Sequence, residues 1–288
     1  MKNNLQPELE KIGIIAGGGR MPFLVARGIR DANGRPVIAA LDGYASQRLP
    51  GECIADEDFA WVGLTRIGQW IKHFRRHGVT QVVMIGYVHK REMYHRWRLL
   101  KYIPDLRTAL IWYCKVRRDK RDNSVLLATA EELAKEGITL VSDTLYAQQH
   151  VAAAGVLTRR QPSSSVAADM EFGWKIAKAS AELDIGQAIA VKERDIIAVE
   201  AVEGTDAMIQ RAGSLCKSGG WTMIKVARPN QDMRFDVPTI GPATVKNLVA
   251  AGCACLVVQA DKTMIADMPQ TLELADKLGL VIVGHNGK

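Results

Sequence analysis

Residues 12–16 read IGIIA, an uninterrupted apolar run that stops at Gly17-Gly18-Gly19, with Pro22 four positions beyond the first glycine's neighbour Gly18. A buried strand, a glycine turn and a proline in the first helical turn make a strand–loop–helix unit. Further apolar runs at PVIAAL (ending before Asp42) and QVVMIG follow. Helical patterns lie between them, near 66–77 and 124–136, and ITLVS closes the first half. Strands alternating with helices predict a parallel, Rossmann-like sheet.

A second α/β series follows GVLTRRQPSSS (155–165), whose glycine, proline and three serines read as a linker. Beyond it come a helix (VAADMEFGWKIAKASAEL), a hairpin turning at Glu193–Asp195, a helix from Asp206 and the strand WTMIKV. A helix near 242–251, the strand CLVVQA, a helix at 271–278 and the strand VIVG complete the chain. The fold class expected is α/β with two domains. Residues 1–158 form an N-terminal Rossmann-like parallel sheet, and residues 159–288 a separate mixed α/β domain.

Composition narrows the class of function. With 48% hydrophobic and 24% charged residues in 288, the chain has the make-up of a globular protein. No apolar stretch approaches 18 residues, and MKNNLQPELEK has no apolar core of a secretory signal. Five scattered cysteines fit reduced thiols in a cytoplasmic protein, with Cys253 and Cys255 read as small apolar strand residues. The charge is uneven. Between Lys90 and Asp122, eleven Lys or Arg face four acids, an excess equal to the net +7 of the whole chain. Tyr94, Trp97, Tyr102, Trp112 and Tyr113 are interleaved with them. Basic residues mixed with amphipathic aromatics suit an anionic membrane surface, and less well a nucleic acid. A solvated helical face with its aromatics turned inward is the plainer account.

Two stretches could carry chemistry. Gly17, Gly18, Gly19 and Arg20 precede a helix, whose amides and dipole could hold a phosphate. The third glycine of a dinucleotide fingerprint is missing, which weighs against a nicotinamide cofactor, although Asp42 stands where a ribose-binding acid would. The second stretch is richer. Glu203, Thr205 and Asp206 come from one turn, with Thr205 expected as a helix N-cap. Asp232, Arg234 and Asp236 alternate with Met233, Phe235 and Val237, so an extended chain would put the charges on one face. Carboxylates without His or Cys are the ligands of a hard cation such as Mg²⁺. Lys225, Arg228 and Arg234 suit phosphate oxygens. A salt-bridged loop is the structural alternative. There is no H-E-x-x-H, G-x-S-x-G or Walker lysine motif, and neither His89 nor His95 has an evident nucleophile to serve.

Taken together, GIIAGGGRMPFLVARG, GVLT…QPSS with Asp169, DIGQAIAV, VEAVEGTDAMIQRAG and KVARPNQDMRFDVPTIGP resemble the LpxI-type UDP-2,3-diacylglucosamine pyrophosphatases, in order over 12–284. The resemblance implies hydrolysis of the sugar nucleotide to UMP and 2,3-diacylglucosamine 1-phosphate (lipid X) in lipid A biosynthesis. It implies Mg²⁺ dependence, two domains with the lipid between them, and a homodimer at the inner face of the cytoplasmic membrane, with no nucleic-acid partner. GYVHKRE and Gln259, where an acid is expected, depart from the family pattern. On this reading Asp232, Arg234 and Lys225 are catalytic, and Asp232, Asp236, Glu203 and Asp206 are metal-ligand candidates. Gly17, Gly18, Gly19, Arg20, Thr205, Arg228 and Gln231 bind substrate or phosphate. A nucleotide-dependent oxidoreductase and a non-catalytic anionic-lipid-binding protein are the alternatives.

Overall fold

The computed structural model describes residues 9–53, 58–88, 103–117, 122–229, 234 and 237–287. These form two compact units, one within Met1–Ala147 and one within Gln148–Lys288, except that Arg234 groups with the first.

The first unit is built from β1 (Lys11–Ala16), α1 (Met21–Asp31), β2 (Arg35–Leu41), α2 (Leu49–Cys53), β3 (Phe59–Val62), α3 (Ile67–Arg76) and β4 (Gln81–Ile85), then α4 (Leu106–Ile111), α5 (Asp122–Lys135) and β5 (Thr139–Val141). Its five strands pair in the order β3-β2-β1-β4-β5, all parallel. Strands buried on both faces read as continuous apolar runs, as IGIIA and PVIAAL do. α3 shows the other pattern: Ile67, Trp70, Ile71 and Phe74 recur at helical spacing and are buried. The strand order reverses between β1 and β4, so the connections that leave their C-terminal ends run to opposite sides of the sheet and open a crevice there. In open α/β sheets such a crevice is where ligands bind.

The second unit contains β6 (Gly155–Val156), α6 (Ser164–Glu182), β7 (Ala188–Lys192), β8 (Asp195–Val199), α7 (Thr205–Leu215), β9 (Trp221–Lys225), β10 (Thr239–Ile240), α8 (Pro242–Ala250), β11 (Cys253–Gln259), β12 (Met264–Ile265), α9 (Met268–Leu278) and β13 (Val281–His285). Six strands pair in the order β6-β13-β11-β9-β7-β8. β9, β11 and β13 are mutually parallel, β7 is antiparallel to both of its neighbours, and β6 is antiparallel to β13. The sheet is therefore mixed, as expected.

Alternation along the strands sorts this core into two faces. Ile189, Val191, Cys255 and Val257 pack with α6, while Ala188, Ala190, Leu256 and Val258 pack with α7, α8 and α9. α6 lies close on the sheet because it has Gly173 at the contact. A Cβ there would stand 2.5 Å from Ile224 Cδ1 and 2.7 Å from Val191 Cγ2. The buried Cys253 and Cys255 thiols are pushed upward by desolvation, Cys255 to about 12, which suits inert strand residues.

Two expectations change. The stretch 155–165 is not a linker: Gly155 and Val156 pair with β13, and Leu157 N–H donates to Ile282 O at 2.9 Å. Thr158 Oγ1 accepts from Ile282 N, and Ser163 Oγ accepts from Val166 N as the N-cap of α6. Its polar residues serve an edge strand and a cap, and the division between units falls after Ala147 instead of 158. The other change concerns Thr205. The N-cap of α7 is Gly204, at φ 85°, which leaves the Thr205 hydroxyl to a different task.

Candidate active site

In the first unit the three glycines make room for a side chain. Gly17 N–H donates to Ile85 O at 2.8 Å, Gly18 N–H donates to Tyr87 O at 2.9 Å, and Tyr87 N–H returns to Gly18 O at 3.0 Å. A Cβ on Gly18 would meet the Tyr87 ring at 2.7 Å. The expected phosphate cradle is therefore partly spent: the Gly17 and Gly18 amides are taken by β4 and the turn after it. Next to this turn is a cavity of about 400 Å³ lined by Gly19, Arg20, Phe23, Tyr44, Ser46, Arg48 and Tyr87. Arg20 stacks over the Phe23 ring at 5.1 Å. Two guanidinium groups and three aromatic rings suit a phosphorylated, planar ligand. Tyr44, Ser46, Arg48 and Tyr87 were not legible as site residues, since they come from loops after β2 and β4. Asp42, directly after β2, is exposed and its N–H donates to Val62 O.

In the second unit β8, β9, β11 and β13 all run in one direction and deliver Glu200, Lys225, Gln259 and His285 to one edge of the sheet. A polar chain joins the first two. Lys225 Nζ donates to Thr205 Oγ1 at 3.2 Å, and Thr205 Oγ1 donates to Glu200 Oε1 at 2.7 Å. Glu200 Oε2 accepts from Gln187 N at 3.2 Å. Thr205 thus orients the ammonium relative to the carboxylate from the first turn of α7. Arg228 lies three residues beyond β9, its Nε 3.1 Å from Asp184 Oδ1. Lys225 at the end of β9 can bind an anion there, with Thr205 holding its ammonium.

The predicted residues separate into groups. Lys225 and Thr205 are brought together, and Arg228 follows on the same strand exit. The carboxylate that joins them is Glu200. Glu203 instead pairs with Arg211 at 3.0 Å, and Asp206 accepts from Asn247 Nδ2 at 3.1 Å. Both can offer oxygen to a hard cation, but among the described residues no three His, Cys, Asp or Glu gather into a metal cluster. Gln231, Asp232 and Asp236 lie outside the described residues, as do His89 and His95, and with them the expected alternating face. Arg234 is in a turn and half-buried.

Two family profiles match this chain in tandem: the LpxI N-terminal domain over residues 11–150 and the LpxI C-terminal domain over residues 153–283. A Caulobacter vibrioides protein, UDP-2,3-diacylglucosamine pyrophosphatase LpxI, is 30% identical over 286 residues, covering 96% of this chain and 98% of its own length. The profiles meet close to the structural division after Ala147, so each matches one of the two sheets. The chain belongs to the LpxI family.

Proposed function

We propose that this chain hydrolyses UDP-2,3-diacylglucosamine to UMP and 2,3-diacylglucosamine 1-phosphate, as a step in lipid A biosynthesis. The observation that carries the reading is the end-to-end match to a pyrophosphatase of that name, with both family domains present. The strand-edge chemistry supports it. A diphosphate needs cations, and Lys225 ends β9 with Arg228 three residues beyond it in the chain. Lys225 would hold phosphoryl oxygens, with Thr205 keeping its ammonium in place. Arg234 would add a second positive charge as the bond breaks, and losing one such contact costs about 10²–10³ in rate.

Asp232 remains the acid on which turnover is expected to depend most. Mg²⁺, when bound, would supply charge neutralisation at the diphosphate. Its candidate ligands are Asp232 and Asp236, with Glu203 and Asp206 as the described carboxylates, an all-oxygen set suited to a hard cation. Gln231 would contact phosphate beside them. The cavity next to Gly19 and Arg20 would take the nucleotide or sugar phosphate.

The proposal extends to a homodimer working on the inner face of the cytoplasmic membrane. No helix of the described residues is long and apolar enough to cross a bilayer. α4 and the turn of π-helix that continues it, Trp112–Val116, support peripheral contact. Leu106, Leu110 and Tyr113 recur on one helical face and are 83%, 62% and 68% exposed, while Ile111 and Val116 are buried. Arg117 stacks on Tyr113 at 5.4 Å. An apolar stripe beside cations is what an anionic interface binds.

The test is incubation with UDP-2,3-diacylglucosamine, with and without chelator. UMP release that chelator and Asp232→Ala both abolish is expected. Absence of UMP when Mg²⁺ is supplied would overturn the reading.

A further inference from the structure

α6 carries Trp174 and Lys178 one turn apart, and both reach the edge where β11 and β13 end. The Trp174 ring meets His285 edge-on at 4.5 Å. Lys178 Nζ is 3.4 Å from Gln259 Oε1 and 3.5 Å from the Ala227 carbonyl oxygen. Gln259 and His285 are register partners on adjacent parallel strands. Three elements thus converge on one polar patch.

The orientation of Gln259 is fixed by its backbone neighbour. Ala227 N–H donates to Gln259 Oε1 at 3.0 Å, and an amide N–H can only donate. The oxygen end of the side chain therefore faces Ala227, and the NH₂ end, with two donors, faces away. Lys178 brings three donors and no acceptor, and both oxygens near it are uncharged and at the outer limit of hydrogen bonding. Donors outnumber acceptors here, and the cation lacks a neutralising partner in those contacts. Partial burial pulls the Lys178 ammonium below the usual lysine range, and Lys262 pushes the same way against Glu182. A group in that position gains from an incoming anion.

We infer that Lys178 and the amide NH₂ of Gln259 form an anion-binding subsite at the ends of β9 and β11, which takes a phosphate group of a diphosphate ester. The inference rests on the proposed diphosphate substrate, and it gives a role to Lys178, which no motif singled out, and to Gln259, which departs from the family pattern. Gln259 has a specific part in it: a neutral amide holds the lysine without cancelling its charge, whereas a carboxylate would pair with Lys178 and repel phosphate.

Isothermal titration of the full chain with inorganic pyrophosphate tests this. Lys178→Met is expected to weaken binding about tenfold or more, the loss of one charge-assisted contact. Gln259→Glu should weaken it as much, and Lys175→Met, at an exposed site three residues away on α6, less than about twofold. Wild-type affinity in Lys178→Met overturns the inference, as does an equal loss in Lys175→Met or no binding by the wild type. Should circular dichroism show Lys178→Met unfolded, Gln259→Glu decides by the same criterion. Because the titration needs no turnover, failure to hydrolyse UDP-2,3-diacylglucosamine counts against the proposed function and leaves this result standing.

Discussion

The two sheets of this chain prepare polar sites by different means. In the all-parallel sheet the crevice between β1 and β4 is shaped by backbone: Gly18 lets the Tyr87 ring lie on the chain, and the amides bond to the turn after β4. In the mixed sheet the edge is shaped by side chains, with Lys225, Thr205 and Glu200 linked atom to atom and Lys178 set against Gln259. The first arrangement suits recognition of a ligand's shape and rings. The second concentrates charge where it can act on a reacting group, because strand ends are rigid and side-chain chemistry is varied.

The contrast can be broken most directly at the charged edge. Lys225→Met should lower kcat/KM by about 10²–10³, whereas Arg48→Ala, in the cavity of the first unit, should act mainly through a raised KM. Steady-state kinetics on both variants decides it, and a pure KM effect in Lys225→Met would erase the distinction.

Two glycines probe the same difference through packing. A Cβ on Gly28 would stand 1.7 Å from Tyr146 O, and one on Gly186 would stand 1.9 Å from Glu200 O. Each Gly→Ala change should cost about 1–3 kcal/mol of stability, read by denaturant titration. Only Gly186→Ala should also cut turnover, because it displaces the residue that holds Thr205.

A smaller effect is expected at the surface of the first unit. Leu106→Glu with Leu110→Glu should reduce retention on anionic vesicles about tenfold while leaving the melting temperature unchanged. Equal vesicle binding by this variant would remove α4 from the interface.

The smallest effect separates the units by pH. Burial lowers the pKa of His73 in the first unit, and of His150 and His285 in the second. A histidine held neutral in the fold costs stability once the unfolded chain can protonate. Stability should therefore fall as pH drops below about 6.5 and level off below the lowered folded values. Hydrogen exchange on the whole chain should show the second unit losing more protection across that window.

Much of the fold was legible because both halves obey simple periodicities. IGIIA, PVIAAL and CLVVQA are apolar throughout, as strands covered on both faces must be. The hairpin turn showed in its charges, and Glu193 and Arg194 indeed take positive φ of 54° and 60°. β3 was missed because Phe59–Val62 is four residues long and only Val62 is fully buried, too little for either period to show. The supposed linker failed for a different reason. Serines and prolines mark loops and caps alike, and only pairing with β13 reveals that the chain has already joined the second sheet.

Of the site, the sequence determined residue types and neighbourhood: a glycine turn before a helix, acids and cations gathered on the exits of β8 and β9, and membership of a family from long ordered motifs. Tertiary structure decided which of them meet. Glu200, and not Glu203, accepts from Thr205, because the start of α7 turns one carboxylate toward the hydroxyl and the other toward Arg211. Lys178 and Gln259 stand 81 positions apart and meet only because α6 crosses the end of β11. Local spacing follows from helix and strand geometry, so sequence can carry it. Contacts between distant elements depend on strand order and packing, which no short stretch encodes.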